Sequence, residues 1–305
     1  MPGVARWGAG QYRTARPMTS TLNDDQAGQA AAMSARESLS LTGANSTPIA
    51  PIRSRHPQAP VFSPPYQPAP DLQIVVPVLN EEGRVGPTID ALCSHLAGQP
   101  WSAALIVVDN GSADGTSEVV DQAQGGRIAV EVIGCRRRGK GAAVRAGVLY
   151  STARWVGFCD ADLATSPATV DGAVELLAEG WDVVIGSRYC PGARTLVRQP
   201  PLRRAGSAVF RALARRMGVP VSDTQCGFKF FDGAHARALF AQARLEGFAF
   251  DIEILSKAHR AGLSIAELPV DWSNREGSTL RPVADGWHAL RELREMRRLQ
   301  MTEQA

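Results

Sequence analysis

The sequence predicts an α/β protein, a mostly parallel sheet with helices on both faces. Three observations carry this. Short β-branched runs recur between residues 72 and 187, helical patterns separate them, and Gly, Asn or Asp turns mark the joints. With 44% hydrophobic residues in 305, there is core enough for one large or two ordinary domains.

Residues 1–70 hold 10 of the 20 prolines, many Ala, Ser, Gln and Thr, and no sustained periodicity. They bury too little apolar surface to offset ordering entropy and are expected to be a disordered tail. Their six Arg and three acids leave a transit peptide or a tether to an anionic surface open beside a passive leader. The first strand is Leu72-Gln-Ile-Val-Val-Pro-Val-Leu, followed by Asn80-Glu-Glu-Gly and a helix through Ile89, Leu92 and Leu96. The second, Ala103-Ala-Leu-Ile-Val-Val, ends in Asp109, and Asn110-Gly111 makes the sharp turn into a short helix of Val119 and Val120. The third is 128–133, after which Gly139-Lys-Gly opens a helix to about Thr152. The fourth, Trp155-Val-Gly-Phe-Cys, delivers Asp160 and Asp162, and Ser166-Pro167 supplies an N-cap and first helical residue. The fifth is 181–187.

The second half is less regular. Residues 191–220 contain seven arginines and no acid. Leu202, Val209, Phe210, Leu213 and Met217 fall near one helical face, so the segment 194–217 reads as basic and amphipathic. It suits an anionic bilayer or phosphate groups, and equally an ordinary surface helix. A strand at 226–231, helices at 233–243 and 250–261, a strand at 265–270 and an amphipathic helix within 283–305 complete the chain.

Charge and composition exclude several classes. A formal charge of +3 is too small for a nucleic-acid binder. Five widely spaced cysteines without a Cys-X-X-Cys pair argue against zinc and for a reducing cytosol. No apolar run reaches the roughly 18 residues of a membrane span, and no secretory signal is present.

Strand ends in an open α/β sheet are where ligands bind. Asp160 and Asp162 at spacing i, i+2 offer the hard oxygen ligands that suit Mg²⁺ or Mn²⁺, although an isolated Asp-X-Asp is also a pair of solvated acids. Asp109 ends the neighbouring strand, where an acid can accept bonds from a nucleoside. Lys140 has an ammonium and helix-start amides for phosphate. All three in strand order make a nucleotide site the stronger reading.

These residues resemble a known family. Val76-Pro-Val-Leu-Asn-Glu-Glu, Val108-Asp-Asn-Gly-Ser-Ala-Asp-Gly-Thr, Gly139-Lys-Gly-Ala-Ala, Asp160-Ala-Asp, Gly186-Ser-Arg and Asp223-Thr-Gln-Cys-Gly-Phe-Lys are similar to the successive motifs of family 2 glycosyltransferases with the GT-A fold. Within it they most resemble the dolichyl- or polyprenyl-phosphate β-glucosyltransferase branch. The resemblance covers about 72–280 and implies one catalytic domain, 71–282, with a nucleotide-sugar half (71–190) and an acceptor half (191–282). It implies that Pro77, Asn80, Glu81 and Asp109 line a uridine pocket, that Lys140 and Asp160 hold the nucleotide and sugar, and that Asp162, with Asp160, binds Mg²⁺ or Mn²⁺. Arg188, Arg204 and Ser207 would grip an acceptor phosphate, Arg275 would close on the diphosphate, and Asp223 would organise the acceptor side. Asn110 departs from the family, many relatives having a second Asp there, and no membrane-spanning segment follows the catalytic region.

The expectation is thus an inverting transfer of a sugar from a UDP-sugar, glucose first, to a polyprenyl phosphate, by an enzyme peripheral at the cytoplasmic face of a membrane. Two alternatives stand beside it: transfer to a soluble hydroxyl compound with Asp223 as base, and an inactive sugar-nucleotide-binding scaffold. The motifs leave the exact sugar, the prenyl length and the oligomeric state undetermined.

Overall fold

The computed structural model describes residues 14–15, 69–123, 126–197, 211–212, 215, 219–273 and 291–292. Apart from Thr14–Ala15 and 69–70, the expected tail lies outside them. So do Arg204, Ser207, Arg275, most of 198–218 and all of the C-terminal helix except 291–292, which are helical.

Ten strands and six helices are described. The strands are β1 (Thr14–Ala15), β2 (Leu72–Val78), β3 (Ala103–Asp109), β4 (Ala129–Gly134), β5 (Trp155–Cys159), β6 (Val183–Ser187), β7 (Arg194–Val197), β8 (Phe228–Asp232), β9 (Ile265–Pro269) and β10 (Asp271–Ser273). The helices are α1 (Glu82–Leu96), α2 (Thr116–Gln122), α3 (Lys140–Tyr150), α4 (Thr169–Ala178), α5 (Gly233–Ala241) and α6 (Phe250–Arg260). The main sheet runs β1-β9-β6-β8-β5-β2-β3-β4, with β8 antiparallel to both neighbours and β1 antiparallel to β9. The other main-sheet pairings are parallel, as the alternation of strands and helices predicts.

Burial explains why the strands read as continuous apolar runs. All five residues of β5 and of β6 are buried because both faces are covered. On one face α3, α5 and α6 close a core around Phe158, Phe231, Phe240 and Phe250. On the other, α1, α2 and α4 pack on Trp155, Phe228 and Phe230. Aromatic pairs such as Phe158–Phe250, with centroids 5.6 Å apart, add about 0.5–1.5 kcal/mol each beyond area burial.

Two expectations need correction. Helix α4 begins at Thr169, not at Ser166-Pro167, because 166–168 form a preceding turn in which Ser166 and Pro167 accept backbone bonds from Thr169 and Val170. The first four residues of the 194–217 segment are a strand paired with β10, so any helix there starts later.

Chain order reverses between β2 and β5: β3 and β4 lie on one side of β2 and β5 on the other. That switch point leaves a crevice beyond the carboxyl ends of the strands. The carboxyl ends of β2, β3 and β5, and of β6 further along, carry Asn80, Asp109, Asp160 and Arg188.

Candidate active site

The acidic loop after β5 is built from several directions. Asp160 N–H donates to the Gly227 carbonyl (3.0 Å), and Ala161 O accepts from Thr88 Oγ1 of α1 (2.6 Å). Leu163 takes a positive φ of 47°, strained for a branched residue, and Asp162 Oδ1 accepts from Ala164 N–H (3.1 Å). Gly227 is needed here, since a methyl group at its Cα would overlap the Asp160 carboxylate. Burial, with the adjacent Asp160 charge, pushes the Asp162 carboxyl above its ordinary range, while Lys140 and the Ala164 bond oppose it.

Lys140 reaches this loop from the start of α3, its Nζ 2.5 Å from Asp160 Oδ1. Burial disfavours the charged amine, yet Asp160 and Asp251 outweigh it and hold the ammonium above its ordinary range. The flanking glycines do more than leave amides open. Gly139 has φ 123°, and a methyl there would overlap the Glu246 carbonyl. Two of the amides expected for phosphate already donate within the protein, Gly139 N–H to Asn110 Oδ1 (2.8 Å) and Ala142 N–H to Glu246 O (3.1 Å).

The four residues expected to line the nucleotide pocket lie in or just past β2 and β3, and three of them bond to residues 112–116. Pro77 lies past Val75, the last residue of β2 paired with β5, where a missing N–H is tolerated. Asn80, at φ 55°, accepts from Ala113 N–H (2.8 Å), and Glu81 N–H donates to Thr116 Oγ1 (2.8 Å). Burial raises the Glu81 carboxyl, opposed by an ion pair with Arg84 at 2.5 Å. Asp109 is buried and accepts from Ser112 N–H (2.9 Å). Asn110, the departure from the family, has its own reason: its amide donates to Arg137 O (2.6 Å) while its oxygen takes the Gly139 N–H. A carboxylate could accept but not donate.

Arg188, at the end of β6, is held by Asp223. Nε and Nη2 bind the two carboxylate oxygens at 2.7 and 2.9 Å, and the Arg188 backbone N–H adds a third bond at 3.0 Å. Burial opposes the Asp223 charge, but the guanidinium overcomes it and holds the carboxyl below its ordinary range. Asp223 has no exposure, and both of its carboxylate oxygens are engaged. The Arg188 guanidinium also lies 5.5 Å from the Trp272 ring centroid and 5.6 Å from that of Tyr189, on which Arg211 of the basic segment sits at 3.9 Å. Trp272 bridges back to Thr165 and lines a small cleft with Asp160, Leu163 and Gly227.

Three buried supports escaped the sequence reading. Lys229 of β8 is fully buried, with Nζ 2.6 Å from Asp251 Oδ1 and 2.7 Å from Cys226 O. A lysine in the apolar run Phe-Lys-Phe-Phe should have signalled a buried partner, since a lone buried ammonium is prohibitively costly. Burial raises the Asp251 carboxyl, with Lys229 and Lys140 opposing. Glu267 of β9, also buried, accepts from the Ser222 and Asp223 backbone N–H groups (2.9 and 3.2 Å) and so sets the turn that aims Asp223.

Among the described residues no group of three His, Cys, Asp or Glu gathers as a complete metal site, and no helix is long and apolar enough to cross a membrane.

Comparison with known proteins supplies the family. The profile described as Glycosyl transferase family 2 matches residues 73–238. The chain is 35% identical to the dolichyl-phosphate beta-glucosyltransferase of Drosophila melanogaster, over 70% of this chain and 71% of that one. It is 33% identical to the Homo sapiens protein of that name over 70% and 71% of the two chains, and 29% identical to the Saccharomyces cerevisiae one over 73% and 72%. In fold it is similar to glucosyl-3-phosphoglycerate synthase of Mycobacterium tuberculosis solved with uridine diphosphate, at a TM-score of 0.57 and 22% identity over 73% of this chain and 79% of that one. The same synthase solved with Mn²⁺, uridine diphosphate and product gives a TM-score of 0.54 at 21% identity, over 76% and 85%. From the motifs in strand order, the matched profile and these relatives, the chain belongs to glycosyltransferase family 2 and is a glycosyltransferase with a GT-A fold.

Proposed function

We propose that the chain transfers glucose from UDP-glucose to a polyprenyl phosphate, with inversion at the anomeric carbon. The observation that carries this is two unlike clusters joined through Trp272, which lines a cleft with Asp160 of the Lys140 ion pair while its ring centroid lies 5.5 Å from the guanidinium that buried Asp223 fixes. The named relatives support the donor and acceptor.

The donor end fits Mg²⁺ or Mn²⁺. Asp162 uses Oδ1 for one backbone bond, which leaves carboxylate oxygen for a hard cation, and because no third acid among the described residues joins it in a metal-holding group the remaining ligands would be phosphate and water oxygens. Asp162 and Asp160 would hold the ion, which when bound neutralises the charge growing on the departing diphosphate. Pro77, Asn80, Glu81 and Asp109 border the uridine, and Lys140 steadies the phosphates. At the acceptor end, Arg188 keeps Nη1 beyond the two nitrogens that Asp223 takes, and presents it to the lipid phosphate with Arg204 and Ser207. A phosphate oxygen is already an anion at neutral pH, so positioning replaces a strong base. Arg275 closes on the leaving group. The basic composition of residues 191–220, with seven arginines and no acid, suits the anionic surface of a membrane, at its cytoplasmic side.

The test is UDP release by the purified chain with Mn²⁺ or Mg²⁺, comparing UDP-glucose with other UDP- and GDP-sugars, with and without a short polyprenyl phosphate. Release from UDP-glucose that requires the lipid and yields a β-linked glycolipid is expected. Release indifferent to the lipid would move the acceptor to a soluble compound, and no turnover despite tight UDP binding would leave a scaffold.

A further inference from the structure

The Lys140–Asp160 ion pair occupies an oxygen of one of the two carboxylates assigned to the cation. Its surroundings dictate what can move. The backbone at Lys140 is clamped, since Gly139 abuts the Glu246 carbonyl and a methyl on Gly141 would stand 2.7 Å from Phe250 Cβ. Only the side chain can move, and its carboxylate partner is only partly covered, with 37% of the Asp160 side chain exposed against 18% for Lys140. Behind it, Asp251 is fixed by Lys229 and favours a charged Lys140.

The cluster therefore holds two ammonium groups, Lys140 and Lys229, against three carboxylates, Asp160, Asp162 and Asp251. A dication added alone would bring its charge against the ammonium already seated on Asp160. A dication arriving with the diphosphate of a sugar nucleotide, which carries two negative charges, leaves the balance of the cluster unchanged and offers Lys140 a second anion. Like charges a few ångströms apart in a half-buried site repel strongly enough to decide the order of events.

We propose that Lys140 is a latch on the donor site: it covers Asp160 in the free protein and releases it only when a nucleoside diphosphate can take its ammonium, so that divalent cation and nucleotide bind cooperatively. The inference rests on the cation reading of Asp160 and Asp162 given under Proposed function. Lys140 acts here as a positioning residue that withholds a ligand oxygen until the donor is present.

Mn²⁺ binding to the full chain, followed by loss of the free-ion paramagnetic resonance signal with and without UDP, tests it without turnover. In the wild type UDP should tighten Mn²⁺ by a factor of roughly 5–150, and Mn²⁺ should tighten UDP equally, as linkage demands. Lys140→Met should bind Mn²⁺ alone more tightly, bind UDP more weakly and lower the coupling factor, which the direct cation–phosphate contact keeps above one. Lys140→Arg, which keeps the charge, should retain most of the coupling. If the wild type binds no Mn²⁺ even with saturating UDP, the cation reading itself falls. If Mn²⁺ binds with UDP and the coupling is the same in Lys140→Met, or if the wild type binds Mn²⁺ equally well without UDP, the cation reading stands and the latch is wrong. Where Lys140→Met does not fold, Lys140→Gln takes its place in the comparison, and a wild type that binds Mn²⁺ equally well without UDP overturns the latch by itself.

Discussion

The two ion pairs of the candidate site are built differently. Lys140–Asp160 is a single contact with 18% and 37% of the side chains exposed. Arg188–Asp223 is a fork of two side-chain bonds plus a backbone bond, with 13% and 0% exposed, braced from behind by Glu267. A partly exposed single contact opens more readily than a buried, multiply bonded pair, which is costly to break. The Lys140–Asp160 contact is thus built to exchange partners, and the Arg188–Asp223 fork to keep an arginine in one place.

The largest expected effect tests that contrast directly. Arg188→Ala leaves Asp223 buried without its cation and should lower the unfolding free energy by about 3–5 kcal/mol, whereas opening the donor pair with Lys140→Ala should cost within about 1 kcal/mol. Urea titrations of the two variants would erase the distinction if the losses matched. Next, Asp162→Ala should reduce kcat/KM about 100-fold or more while the urea midpoint stays near that of the wild type, because Asp162 belongs to neither pair. A variant that kept full metal-dependent activity would remove the central acid from the donor site.

The smallest effect is a matter of pH. Asp223 has a depressed folded value, so its stabilisation is whole above the ordinary carboxylate value near pH 4 and is lost as pH falls through the folded value. Between those limits the unfolded chain binds the extra proton, and stability should climb with pH by up to about 1.4 kcal/mol per unit more in the wild type than in Asp223→Asn. Parallel acid limbs for the two proteins would mean that Arg188 does not hold the charge of Asp223.

Local pattern was enough for the elements that line the crevice. β-branched runs ending in Asp109 and Asp160, and a glycine-flanked Lys140 at a helix start, identify the strands and the donor end because each signal lies within a few consecutive residues. Boundaries drifted where turn chemistry intervened, as at Ser166-Pro167, whose turn precedes α4 instead of opening it. The Asn110 departure reads as a weakness in the sequence and turns out to need an amide that both donates and accepts.

The amino-acid sequence by itself determined the fold class, the order of strands and the acids and basic residues delivered to their ends, since periodicity and turn residues act over short separations. Only the tertiary structure decided which of those groups meet. Strand β8 enters antiparallel between β5 and β6, and this sets Gly227 against Asp160 and Lys229 against Asp251. Arg188 finds Asp223 from 35 residues away, and Glu267 reaches the Asp223 backbone from 44. Such pairings follow from the spatial order of strands, which the hydrophobic pattern of any one strand does not encode.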